Sequence, residues 1–133
     1  MAEYLVVSVV AGILFGVMDA AINGNPLARK LFAVYAPVAK TEINIPVGLA
    51  IDLIYGFAMA GLFLVLYDSL PGDAGLLKGL SFAGIAWFFR VVMSAATTWM
   101  TIAIPAKATT YSVLTGLGEM LVLGVLFGLT LSP

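Results

Sequence analysis

The sequence predicts an all-α integral membrane protein: four transmembrane helices in a bundle, with a short amphipathic interfacial helix between helices 1 and 2. Three observations lead there. Apolar residues make up 62% of the 133 residues and charged residues 10%, against about a quarter charged in a typical soluble domain. The six basic and seven acidic residues are too few to cover the surface that so small a chain would show to water, and the mean hydropathy is +1.13. The apolar residues also gather into four stretches near the roughly 20 residues that cross hydrocarbon, without the alternation of β-barrel strands. The whole chain, 1–133, reads as a single membrane domain.

The first span is expected at about residues 4–22. Glu3 and the lack of any Lys or Arg before it argue against a cleaved leader, which carries positive charge there. Asn23-Gly24-Asn25-Pro26 ends this span and offers Asn25 as a cap, with Pro26 at the first position of a new helix. That helix, at about 26–38, places Leu27, Leu31, Val34, Tyr35 and Val38 on one stripe and keeps Arg29 and Lys30 off it, as a helix lying in the membrane surface does. It covers one edge of the bundle. Asn44 and Pro46 open the second span, 45–67. Leu70-Pro71-Gly72-Asp73 forms a turn into the third, 76–104. Pro105 stops the third span, and Thr109 or Thr110 caps the fourth, 110–131.

Loop charges predict orientation. The first connection holds Arg29, Lys30 and Lys40 and the third holds Lys107, whereas the second holds Lys78 beside Asp68 and Asp73. By the positive-inside tendency, connections 1 and 3 are cytoplasmic and both termini lie outside. Trp99, Tyr35 and Tyr111 then fall near the cytoplasmic interface, and Tyr4 and Tyr67 near the other. Gly12-x-x-x-Gly16 and Gly124-x-x-x-Gly128 let helix backbones approach closely, either within one chain or between copies. The methionines of the spans read as packing filler.

Several chemistries are removed by composition. Without Cys or His there is no thiolate or imidazole ligand for a metal, haem or iron–sulfur cluster, and no Ser-His-Asp triad. No cofactor is expected beyond a hard cation at carboxylates. The formal net charge of −1 offers no basic patch for nucleic acid. The expected partners are the lipid bilayer and either further copies of the chain or the subunits of a larger membrane complex.

The informative residues are the charges inside the spans. Each span carries one: Asp19, Asp52, Arg90 and Glu119. At mid-membrane each costs about 2.5–3.5 kcal/mol, so such groups face inward and pair. At 1.5 Å per residue, Asp19 lies about 5 Å, Asp52 about 10 Å, Glu119 about 14 Å and Arg90 about 20 Å from the cytoplasmic ends of their spans, which puts all four in one half of the bundle. Polar neighbours share their faces: Ser94, Thr97 and Thr101 with Arg90, Ser112 and Thr115 with Glu119, and Tyr55 with Asp52. The expected binding set is therefore Asp19, Asp52, Arg90, Glu119, Tyr55, Ser94, Thr97 and Thr115. Three carboxylates against one guanidinium leave excess negative charge. A proton retained on Glu119 or Asp52, a bound cation, or hydration of Asp19 near Lys107 or Lys40 would relieve it.

Four readings remain at this level. The first is translocation of a proton, cation or small polar solute by an oligomer. The second is an accessory subunit of a larger membrane complex. The third is an intramembrane hydrolase using Asp19 and Asp52 as a pair, for which no nucleophile motif or metal-ligand spacing is present. The fourth is a buried ion pair at Arg90 that only fixes helix register.

Overall fold

A computed structural model describes residues 1–39 and 42–133; Lys40 lies outside the described residues. Among these the chain is helical, and four helices are long and apolar enough to cross a membrane: Ala2–Gly24, Ile45–Ser69, Gly75–Thr101 and Ala106–Thr130. The first is α1 (Ala2–Gly24). A short α2 (Pro26–Leu31) follows and tightens into a 3-10 turn, Phe32–Tyr35. The second span is α3 (Ile45–Leu66) with a 3-10 turn, Tyr67–Ser69. The third is α4 (Gly75–Ala86), a π-helical turn (Trp87–Val92) and α5 (Met93–Thr101). The fourth is α6 (Ala106–Thr130).

Helix starts follow local chemistry. Asn25 Oδ1 accepts from the Ala28 N–H at 2.9 Å, and Asn44 Oδ1 from the Val47 N–H at 3.2 Å, with Pro26 and Pro46 in the first turns. Two boundaries differ from the sequence expectation. The third span stops at Thr101, because the β-branched Ile102 and Ile104 lead an extended segment into Pro105. The fourth starts at Ala106 and not at residue 110. Thr109 and Thr110 therefore lie inside α6 and cap nothing; the Thr110 hydroxyl bonds back to Ala106 O.

The helix after α1 is shorter than expected, 26–35, and its inward face is rotated. Ala28 is fully buried and Leu31, Phe32 and Tyr35 are half-buried, while Leu27, Val34 and Val38 point outward. Asn25 causes the rotation. Its Nδ2 donates to Ala21 O, Ile22 O and Tyr111 Oη (2.7 Å), and Tyr111 donates in turn to Ile22 O. This clasp turns Phe32 edge-on to Tyr111. Tyr111 bonds within the bundle, Tyr35 lines the cavity described below, and Tyr4 donates to Phe57 O.

Glycines set the helix pairing. α1 lies against α3 where Gly12 meets Leu53 and Gly56 meets the backbone of Ser8 and Gly12; α4 lies against α6 where Gly75 and Gly79 face Gly128 and Gly124. Both small-xxx-small pairs are therefore used within one chain. A Cβ on Gly79 would collide with Gly124 O, whereas one on Gly84 meets nothing within 4 Å. Gly79→Ala should cost about 1–3 kcal/mol. Gly84→Ala should be neutral or slightly stabilising through helix propensity. Thermal midpoints of the two variants in detergent check this.

The two helix pairs join through α1 and α6, and the half of the bundle nearer the termini is filled by aromatic side chains. Phe63, Phe82 and Phe127 are fully buried and pack mutually at centroid distances of 5.5 to 6.1 Å, with Leu123 and Met120 beside them. At that end Lys78 Nζ donates to Tyr67 O (2.8 Å) and Leu70 O (3.0 Å) and sits over the Tyr67 ring. It covers the open carbonyls where the second span ends, as a cation at a helix C-terminus does.

Candidate functional site

The other half of the bundle, toward the first and third connections, contains a cavity of about 350 Å³ between α1, the 3-10 turn Phe32–Tyr35, α3, the third span and α6. Its deep wall is formed by Arg90 and Glu119, and its outer part by Asp19, Asn23, Phe32 and Tyr35. Glu119 lies about 20 Å along α6 from Ala106, so the cavity runs to mid-bundle and ends where the aromatic packing begins.

Arg90 is held from three sides. Its guanidinium carbon lies 4.6 Å from the Phe15 ring centroid and 5.0 Å from that of Tyr55. Those two rings are themselves nearly parallel, 5.2 Å apart. Its Nη1 is 3.5 Å from Glu119 Oε1, longer than the 2.7–2.9 Å of a tight charge-assisted bond. The π-helical turn that carries Arg90 is anchored to α6 by Trp87, whose Nε1 donates to Val113 O at 2.9 Å. Gly116 admits the Val91 side chain; a Cβ there would come 2.5 Å from Val91 Cγ1. Turns of this kind bond i to i+5 and insert a residue into the α-helical register.

That insertion moves the polar face of the third span. Arg90 and Ser94 line the cavity, but the next residues to do so are Ala95 and Thr98. Thr97 and Thr101 are exposed and donate to Met93 O and Thr97 O of their own helix. Thr98 is the lining hydroxyl that an unbroken 3.6-residue period does not find. On α6, Thr109, Ser112, Thr115 and Glu119 all reach the cavity, with Thr115 Oγ1 also bonded to Tyr111 O.

Of the eight residues expected to form a site, Asp19, Tyr55, Arg90, Ser94, Thr115 and Glu119 line one cavity. Asp52 and Thr97 do not. Asp52 is partly buried at the α1–α3 contact, where its carboxylate occupies the space left by Gly16. Asp19 and Asp52 therefore do not face each other across the cavity. Asp19 instead shares the cavity lining with Glu119. Among the described residues, Lys107 makes no ion pair and no group of three acidic side chains is arranged to hold a metal ion.

Burial sharpens the picture. Glu119 is 4% exposed. Four buried side-chain polar atoms lack a hydrogen-bond partner among the described residues, and three of them, Arg90 Nε, Thr109 Oγ1 and Glu119 Oε2, belong to residues of this cavity. Buried polar groups are nearly always satisfied, since leaving one unmade costs about 1–3 kcal/mol.

Compared with known proteins, the chain matches no protein family, no curated protein and no solved structure.

Proposed function

We propose that this membrane protein binds a proton, a cation or a small polar solute in the cavity and carries it across the bilayer. The observation that supports this is the gathering of Asp19, Glu119 and Arg90 in the lining of one cavity, three of whose lining residues carry a buried polar atom without a hydrogen-bond partner among the described residues. Two carboxylates lining one cavity repel if both are ionised. Arg90 offsets one charge; a proton or a cationic solute offsets the other. Intramembrane ionisable groups commonly mark such pathways. The aromatic packing of Phe63, Phe82 and Phe127 closes the path toward the termini, so passage requires the two helix pairs to move relative to each other, as in alternating access, and not a standing pore. In this reading the cavity opens to the cytoplasm, following Arg29, Lys30 and Lys107.

The test is uptake by reconstituted vesicles, followed with an enclosed pH dye under an imposed cation or proton gradient. Glu119→Gln should reduce uptake at least tenfold while its circular dichroism stays that of the wild type. Asp73→Asn, at the exposed second connection, should leave uptake unchanged. Equal uptake by wild type and Glu119→Gln defeats the proposal. An accessory role in a larger complex would show instead as a chain that neither stays monodisperse alone nor moves solute.

A further inference from the structure

We infer that the cavity takes a small organic monocation, an ammonium on a body of about ten non-hydrogen atoms, with Asp19 and Glu119 as its counter-charge. The inference rests on the translocation reading and names its substrate class. The cationic side chain already in the cavity is committed to the protein: Arg90 is occupied by the Phe15 and Tyr55 rings and by Glu119. Asp19 makes no ion pair among the described residues. With both carboxyls ionised, the sum over the lining residues, Asp19 and Glu119 against Arg90, is one negative charge in excess.

One of the lining carboxyls also carries a buried, unpartnered acceptor. Glu119 Oε2 belongs to a side chain 3% exposed and lacks a hydrogen-bond partner among the described residues, so rotation of that carboxyl gives an ammonium N–H near Asp19 a second acceptor. Ser112 adds a hydroxyl that can accept, and Thr109 Oγ1 is another unpartnered atom.

Size and walls choose among cations. A volume of 350 Å³ is about a dozen times the roughly 30 Å³ share of one liquid water. A bare metal ion would leave most of it unfilled, and Ca²⁺ would ask for six to eight oxygens. Toward the mouth stand Phe32 and Tyr35, rings 6.0 Å apart, which attract an organic cation through their faces and cover its apolar body. Ile22, Val91 and Ile104 continue that apolar wall.

Benzylammonium is the probe, with benzoate as its anionic counterpart and benzyl alcohol as the uncharged one. Binding is measured by calorimetry on the purified full chain in mild detergent. Saturable binding of benzylammonium is expected, with none for benzoate and at least tenfold weaker binding for benzyl alcohol. Asp19→Asn, at an unchanged thermal midpoint, should weaken benzylammonium at least tenfold, and Asp68→Asn at the far connection should not weaken it. Benzoate binding in place of benzylammonium, or full affinity in Asp19→Asn, overturns the inference. If wild type binds none of the three probes yet still takes up protons in vesicles, the organic-cation class fails and translocation stands. If it does neither, both fail.

Discussion

Arg90→Met is expected to destabilise the protein by about 3.5–5 kcal/mol, and Arg90→Met combined with Glu119→Met to recover about 3 kcal/mol of that loss. Removing one partner of a buried pair strands the other charge, at about 3–5 kcal/mol. The lower end applies because the Arg90 side chain is 30% exposed while Glu119 is 3%. Loss of the cation over Phe15 and Tyr55 adds to the cost at about 0.5–2 kcal/mol. Replacing both residues by apolar side chains of similar length removes the stranded carboxylate, and such swaps are often neutral. Unfolding in a denaturing detergent titration gives the stabilities, and vesicle uptake gives the second axis. The double variant should be folded and inactive. A double variant that transports like wild type would show that the pair serves only helix register; one no more stable than Arg90→Met alone would show that the two residues are not energetically coupled.

Much of the architecture was legible because its causes are local. Span length is set by bilayer thickness, so runs of apolar residues state it directly. Asn25 with Pro26 and Asn44 with Pro46 announce helix starts, because a side-chain oxygen followed by a ring without an N–H suits only a first turn. Glycines four apart on the first and fourth spans predict close backbone approach, and the structure uses both pairs. The presence of Asp19, Arg90 and Glu119 in one half of the bundle, around one cavity, also accords with the sequence, since the direction of successive spans alternates and the cost of a lone charge in hydrocarbon sends each inward.

What escaped depends on contacts between elements distant in sequence. No Pro or Gly marks the π-helical turn at Trp87–Val92; it is recorded in the Trp87 bond to Val113 O and in the room that Gly116 leaves for Val91. Without that turn, Thr97 falls on the cavity face and Thr98 does not. Asp52 shares a depth with the other acids, but its side lies against Gly16, a choice made by the α1–α3 crossing and invisible in the second span alone. The rotated face of α2 comes from the Asn25–Tyr111 clasp, whose partners are 86 residues apart. Periodicity gives the face of a regular helix; it cannot give the partner that turns it.

Single cysteines along α6 should divide sharply at Glu119. The chain has no cysteine of its own, so each introduced thiol reports one position. Ser112 and Thr115 line the cavity, while Leu123, one turn beyond Glu119 on the same face, is 1% exposed in the aromatic packing. In vesicles, a membrane-impermeant methanethiosulfonate should label Ser112→Cys and Thr115→Cys to completion and leave Leu123→Cys unlabelled until the protein is denatured. Excess negative charge in the cavity should favour a quaternary-ammonium reagent over a sulfonate one of similar size by tenfold or more, a preference that falls with added salt. Replacing Asp19 by Asn should shrink that ratio. Sidedness follows from the same thiols: if the basic connections face the cytoplasm, Thr115→Cys is labelled in inside-out vesicles and protected in intact cells. Labelling of Leu123→Cys from either side would mean that the Phe63–Phe82–Phe127 packing is not a seal, and the path would then be a pore needing no movement of one helix pair against the other. Protection of Thr115→Cys from both sides would mean that the cavity does not open to water at all, which would remove the physical basis for solute entry.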